Sequence, residues 1–69
     1  MPTVVYIGEQ LKALRTRRLL TQEELAEKAN VSAATVVNIE RNNQEPHFRT
    51  IRKLAKALGV DPTTLIPKE

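Results

Sequence analysis

The chain has 69 residues, a net charge of +3, a pI near 9.7 and no cysteine. This length suits a single domain, and the lack of cysteine excludes disulfides and thiolate metal sites. With only two aromatic residues, the core is expected to be aliphatic. The sequence has no apolar run long enough to span a membrane and no signal-peptide pattern at its start, so we expect a soluble protein of the cytoplasm.

The first residues are predicted to form an extended arm, because most of them are β-branched or aromatic. These residues are Thr3, Val4, Val5, Tyr6 and Ile7. A lone strand needs a partner, so the arm either packs over its own helices or pairs with the arm of a second subunit. It has no Lys or Arg, which makes it a poor minor-groove arm.

The first helix is predicted from about Gly8 to Arg18. Leu11 and Leu14 mark its inward face, and Arg15, four residues after Leu11, lies on that face too. A charge on an apolar stripe needs a partner, and Glu40, near the end of a later helix, is also turned inward. We therefore predict an Arg15–Glu40 ion pair. The alternative is two side chains that snorkel, with their charged heads in water.

The stretch from Thr21 to Asn42 is predicted to form two short helices joined by a tight turn. Thr21 and Glu24 form a capping box at the start of the first of these helices. Asn30 can adopt the left-handed backbone that ends it, and Ser32 caps the next helix. The short connection makes the helices cross steeply, which is the geometry of a helix-turn-helix.

The second of these helices, about Ala33 to Glu40, has an outer face without charge. Val36 and Ile39 are predicted to point inward. The residues left outside are Ser32, Ala33, Ala34, Val37 and Asn38. Small side chains can approach the floor of the DNA major groove, alanine and valine can touch thymine methyl groups, and asparagine can bond adenine. The alternative is that the alanines are present only for their high helix propensity and that this face contacts nothing.

The next segment is a polar loop. Arg41, Asn42 and Asn43 offer hydrogen-bond donors to phosphates beside the preceding helix. His47 has no second histidine, cysteine or acid cluster beside it, so a metal site is not expected. We interpret His47 as a loop residue or a weak helix cap.

Two further helices are predicted after the loop. One runs from about Phe48 to Leu58, with Gly59 as its stop. Its basic outer side is interpreted as a solvated face, although backbone N–H groups of its first turn can also approach phosphates. Asp61 and Pro62 then begin a short fifth helix. Apolar residues left exposed there would form a dimer patch.

The stretch from Thr21 to Arg41 resembles the helix-turn-helix of phage repressor and Cro-type proteins, the XRE family. The resemblance extends upstream through Ile7–Leu11 and downstream through Pro46, Ile51 and LAKALGVDPTTL, roughly residues 7 to 66. It implies an all-α, compact five-helix lambda-repressor-like DNA-binding domain, with the helix-turn-helix formed by helices 2 and 3. It further implies a homodimeric transcriptional regulator, a repressor rather than an activator, on double-stranded DNA with a two-fold symmetric site.

The resemblance also implies which residues touch DNA. The expected base contacts are Ser32, Ala33, Ala34, Val37 and Asn38. For the DNA backbone the resemblance implies contacts by Gln22 and Arg41, and Thr35 and Asn43 are expected as further backbone contacts. The sequence departs from the family pattern at Asn30 and Asn42, where glycine is usual. Ala33 and Ala34 replace longer polar side chains, which puts strong sequence selectivity in question.

Two other classes of protein remain as alternatives. One is a protein-interaction module of the same fold, antitoxin-like or a co-regulator, that uses the uncharged face of the third helix. The other is an enzyme, which lacks support because no nucleophile–base pairing is recognisable. We expect no catalytic residue, cofactor or metal. The expected layout is an arm over 1–6, the helical domain over 7–66 and a tail over 67–69, in a protein of bacterial or phage origin.

Overall fold

The structure, a computed structural model, describes residues 5–67 of the chain. Within that range it contains four α-helices and one 3-10 helix, and no β-strand. The helices are α1 (Gly8–Arg17), α2 (Gln22–Ala29), α3 (Ala33–Glu40), α4 (Phe48–Leu58) and the 3-10 helix (Pro62–Leu65).

The expectation of five regular helices is wrong in its last member, because the fifth is a 3-10 turn of four residues. Asp61 caps this turn: its Oδ1 accepts from the backbone N–H and the hydroxyl of Thr63 at 2.9 and 2.6 Å. Ile66 then has an extended backbone, with φ −84° and ψ 124°. Proline disfavours a helical conformation in the residue before it, so Pro67 prevents the turn from growing into an α-helix.

The core is aliphatic, as the composition predicted. Among residues 5–67, twelve buried apolar residues form it, drawn from all four α-helices, the 3-10 helix and the residue before α1. They are Ile7, Leu11, Leu25, Ala26, Ala29, Val36, Ile39, Ile51, Leu54, Ala55, Leu58 and Leu65. Burying each of the larger side chains contributes about 1.5–3 kcal/mol. The two aromatic residues, Tyr6 and Phe48, stay exposed.

The structure describes only the last part of the predicted arm. Its first four residues, and the predicted tail at 68–69, lie outside the described residues. Val5 and Tyr6 have no regular secondary structure. Val5 packs against the core and Ile7 is fully buried, so the end of the segment lies on the helices of its own chain.

The end of α1 differs slightly from the prediction, since the helix stops at Arg17 rather than Arg18. Leu19 takes a left-handed backbone, with φ 57°, so the helix cannot continue through it. The Arg18 Nε group donates to the backbone oxygen of Leu58 at 3.0 Å. Arg18 therefore ties the end of α1 to the end of α4.

Gly8 brings the start of α1 against the end of α3. A Cβ atom at this position would lie 2.6 Å from the Glu40 backbone oxygen and 2.8 Å from that of Ile39, and in closer conflict with Asn42 Oδ1. The Gly8 backbone N–H donates to that same Asn42 oxygen at 3.1 Å. Asn42 thus caps the start of α1 although it is distant from Gly8 in the chain. The absence of a side chain at Gly8 lets α1 and α3 approach this closely.

Candidate nucleic-acid interface

The turn between α2 and α3 is built as the sequence predicted. The hydroxyl of Thr21 accepts from the Glu24 N–H at 3.0 Å, and the Glu24 carboxylate accepts from the Thr21 N–H at 2.9 Å. The backbone hydrogen bond lowers the pKa of Glu24 most, followed by the Thr21 side chain. Asn30 has a left-handed backbone with φ 58°, and the Ser32 hydroxyl accepts from the Thr35 N–H at 3.1 Å. The capping predictions are confirmed.

Small side chains let α2 and α3 pack closely. Ala26 and Ala29 of α2 are buried, and Val36 and Ile39 of α3 are completely buried. The Val31 N–H donates to the Ala26 backbone oxygen at 3.0 Å across the turn. The two helices of the helix-turn-helix are therefore closely packed, and α3 keeps one face free.

The free face of α3 holds most of the expected base-contact residues. Ser32 and Ala34 are near the start of the helix, and Val37 and Asn38 follow one turn later as half-buried residues. Ala33 differs from the expectation, because it packs against the core. It lies three residues before Val36, so both side chains share the inward side of the helix.

Two hydroxyl groups at the start of α3 are engaged with each other. Ser32 Oγ and Thr35 Oγ1 form a hydrogen bond at 2.8 Å, in addition to the cap that Ser32 provides. Thr35 is half-buried. A ligand that contacts either hydroxyl group must share it with these hydrogen bonds.

Arg15 and Glu40 form an ion pair, with Arg15 Nε donating to Glu40 Oε2 at 2.6 Å and Arg15 Nη2 donating to Glu40 Oε1 at 3.0 Å. Their side chains are 14% and 3% exposed. The hydrogen bonds with Glu40 raise the pKa of Arg15 above its ordinary value, although burial opposes this. Arg15 Nη1 also donates to the Leu20 backbone oxygen at 2.8 Å. The pair therefore joins α1, α3 and the connection to α2.

Gln22, one of the residues expected to contact the DNA backbone, also bonds to the Arg15–Glu40 ion pair. Its side-chain Nε2 donates to Glu40 Oε1 at 3.1 Å. Sequence reasoning missed this bond, because nothing in the spacing of two residues so far apart in the chain predicts it. Arg41 and Asn43 are exposed just beyond α3, and Arg41 is its C-terminal cap. Gln22 and Arg41 thus lie beside Glu40, whereas Thr35 lies at the other end of α3.

The described residues contain no group of three or more histidine, cysteine, aspartate or glutamate side chains that could hold a metal ion. Across residues 5–67, no helix is both long and apolar enough to cross a membrane. His47 occupies the N-cap position of α4, and its side chain makes no cap hydrogen bond there.

The fold and this site define a helix-turn-helix protein, and the chain belongs to that family. The family model described as Helix-turn-helix (HTH_3) matches residues 11–65. The chain is similar to the immunity repressor protein of Bacillus phage phi105, with 40% identity over 63 residues that cover 91% of this chain and 44% of that protein. It therefore spans less than half the length of that relative. The resemblance to phage repressors is confirmed.

Solved structures agree with this assignment. The restriction-modification controller protein C.AhdI from Aeromonas hydrophila superposes with a TM-score of 0.85 at 35% identity, covering 90% of this chain and 94% of that one. The biofilm regulator SinR, solved in complex with DNA, superposes with a TM-score of 0.82 at 37% identity. That match covers 86% of this chain and 95% of the SinR chain.

Proposed function

We propose that this chain binds double-stranded DNA in a sequence-specific manner as part of a transcriptional regulator, a repressor rather than an activator. The observation that carries the proposal is the uncharged, accessible face of α3 on a helix-turn-helix that superposes on DNA-bound SinR. In this arrangement α3 enters the major groove and α2 lies across the backbone. The similarity to a phage immunity repressor supports the repressor role.

Base contacts are proposed for residues of α3 and its cap. These are Ser32, Ala34, Val37 and Asn38, with Ala33 contributing less because it packs against the core. Asn38 is the residue best suited to bond adenine bidentately. Contacts to the DNA backbone are proposed for Gln22, Thr35, Arg41 and Asn43. Phosphate contacts supply much of the affinity, which makes binding strongly dependent on salt.

We propose that the protein binds as a homodimer to a site with two-fold symmetry. A recognition helix of eight residues reaches only a few base pairs, and helix-turn-helix dimers gain specificity by binding two half-sites about one helical turn apart. Half-buried Val60 and Ile66, beside the 3-10 helix, are candidates for the dimer patch. The helical domain is proposed over 7–66, with an arm over 1–6 and a tail over 67–69.

Selection from a random duplex library at about physiological salt tests this function, followed by a salt titration of the winning site. We expect a palindromic site. Asn38→Ala should weaken binding to that site by about 1–3 kcal/mol, roughly fivefold to 150-fold, and binding to random DNA much less. Asn43→Ala is the matched control, because a lost backbone contact should weaken all duplexes similarly. Equal binding to every duplex would contradict sequence specificity.

A protein-interaction module is the second candidate function. The exposed methyl group of Ala34 favours it, because it offers no polar atom to base edges, whereas an apolar group of this kind suits a protein partner. Binding to such a partner should depend weakly on salt, in contrast to DNA. The proposed role requires no catalytic residue, cofactor or metal. A DNA-binding regulator of this kind would act in the cytoplasm of a bacterium, from a chromosomal or phage gene.

A further inference from the structure

Gln22 is the point where the proposed DNA surface meets the buried ion pair. It is the first residue of α2, where the backbone N–H groups have no partner within the helix. Its Nε2 donates to Glu40 Oε1 at 3.1 Å, and the same oxygen accepts from Arg15 Nη2 at 3.0 Å. One carboxylate therefore holds both a buried guanidinium and a proposed phosphate contact.

We infer that Glu40 is a positioning residue for DNA binding, which orients the Gln22 carboxamide toward the phosphate backbone. The inference rests on the DNA-binding function proposed above. An ionised carboxylate only accepts hydrogen bonds, so Gln22 must turn its NH2 group toward Glu40. That group carries two hydrogens, and one remains for a phosphate oxygen. Glu40 thereby holds the side chain in one orientation before DNA arrives, which lowers the entropy lost on binding.

The Glu40 carboxylate is itself held rigidly. Arg15 bonds it through two nitrogens, Nε at 2.6 Å and Nη2 at 3.0 Å, and the fork geometry of this contact fixes the carboxylate plane. Arg15 Nη1 donates to the Leu20 backbone oxygen at 2.8 Å, in the connection that leads into α2. Because the Glu40 side chain is only 3% exposed, little water competes for the oxygen that Gln22 uses.

A purely structural role and a positioning role for Glu40 predict different results. If Glu40 only neutralises Arg15, its loss affects DNA binding equally whether or not Gln22 is present. Glu40→Gln also removes a negative charge, which by itself should strengthen attraction to DNA. Under the positioning role the opposite occurs, because a carboxamide has only one oxygen and cannot accept from both Arg15 nitrogens and from Gln22 as the carboxylate does. Glu40→Gln then weakens DNA binding, and it does so only when Gln22 is present.

The test is a double-mutant cycle of Glu40→Gln and Gln22→Ala, with dissociation constants measured on the selected duplex at one salt concentration. Thermal melting shows that each variant is folded at the temperature used. We expect Glu40→Gln to weaken binding about tenfold when Gln22 is present, the size of a charged hydrogen bond. In the Gln22→Ala background it should change binding by less than about twofold, or strengthen it. The salt slope should stay constant between wild type and Gln22→Ala, because Gln22 is uncharged.

Equal weakening in both backgrounds, or tighter binding in both, overturns the inference while DNA binding stands. If the wild-type protein binds no duplex, the proposed function fails, and the inference fails with it. Should Glu40→Gln be unfolded, NMR of the Gln22 side-chain NH2 group in the wild-type protein decides instead. A rigid carboxamide in the free protein supports positioning, and a freely rotating one overturns it.

Discussion

The two ends of α3 are held in different ways. At its start, the bonds join near neighbours: the Ser32 hydroxyl accepts from the Thr35 N–H, and the Val31 N–H donates to the Ala26 backbone oxygen. At its end, the partners are distant in the chain. Gly8 and Asn42 are 34 residues apart, and Arg15 and Glu40 are 25 apart.

This difference separates local helix formation from the assembly of the domain. Contacts at the start of α3 form within the helix-turn-helix, so losing one should cost little beyond a single cap. Contacts at its end exist only once α1 has packed against α3. We therefore expect substitutions at the end of α3 to reduce the free energy of unfolding most, although both ends border the proposed DNA surface.

Glu40→Ala should have the largest effect on stability. It leaves Arg15, only 14% exposed, without its carboxylate, and breaking a buried pair in this way costs about 2–5 kcal/mol. Urea unfolding at low temperature, where a weakened domain stays folded, measures the change. Glu45→Ala, an exposed glutamate in the following loop, is the control and should be near neutral. A loss under about 0.5 kcal/mol would mean that water screens the pair.

Gly8→Ala should have the next largest effect. Its new Cβ meets the backbone oxygens of Glu40 and Ile39 at 2.6 and 2.8 Å, and backbone cannot move aside as a flexible side chain would. Overpacking of this kind costs about 1–3 kcal/mol, even though alanine is the better helix former. The midpoint of urea unfolding reports the loss.

The control for Gly8 is the other glycine. Gly59 has φ 71°, and a Cβ added to it would have no atom within 4 Å, so the position needs only a residue that tolerates left-handed backbone. Gly59→Asn should therefore cost less than Gly8→Ala, because asparagine tolerates a left-handed backbone better than most residues. If Gly8→Ala proved equally harmless, α1 and α3 would not be in the close contact that the structure contains.

The helix-turn-helix could be predicted because its signals are local. Thr21, Glu24, Asn30 and Ser32 each act on residues within a few positions, and helical spacing alone places Val36 in the core. The same spacing turns both Arg15 and Glu40 inward, which is why their pairing could be predicted. The aliphatic core follows from composition.

What the sequence could not predict depends on distance in the chain or on small rotations. The sequence marks Asn42 as a phosphate donor or a substitute for glycine, yet its side chain caps α1. The bond from Gln22 to Glu40 is equally non-local. Ala33 lies at the boundary between the inward and outward faces of α3. A small rotation of the helix moves such a residue from one face to the other, and the sequence does not fix that rotation. For the 3-10 turn, the sequence marks the start at Asp61 and Pro62 but does not show how short the helix is.

Two asparagines with a left-handed backbone flank α3, one near each of its ends. Asn30 and Asn42 have φ values of 58° and 57°, but Asn42 also uses its side chain, to accept from the Gly8 N–H. Asn42→Gly keeps the backbone conformation and removes that bond, so it should destabilise by about 1 kcal/mol. Asn30→Gly should be neutral or slightly stabilising. Thermal melting compares the two, and equal effects would deny Asn42 its capping role.

Glu24→Gln should have the smallest effect, and one that depends on pH. Hydrogen bonds from Thr21 lower the pKa of Glu24 below its ordinary 4.5 in the folded protein. A carboxylate with a depressed folded pKa stabilises the fold above its unfolded pKa, and this contribution is lost as the pH falls through the folded value. The wild-type protein should therefore melt slightly higher than Glu24→Gln at neutral pH, and the gap should close well below pH 4.5.

Asp61→Asn is the matched comparison for Glu24→Gln, because hydrogen bonds from Thr63 lower the pKa of Asp61 in the same direction near the other end of the chain. Its gap to the wild-type melting temperature should close in acid in the same way, since the sign of the linkage is the same. If the difference in melting temperature between wild type and Glu24→Gln persisted in acid, it would come from the shape of the side chain and not from its charge. The charge of the capping box would then contribute nothing to holding the start of α2, and the local signals at the start of the helix-turn-helix would act through geometry alone.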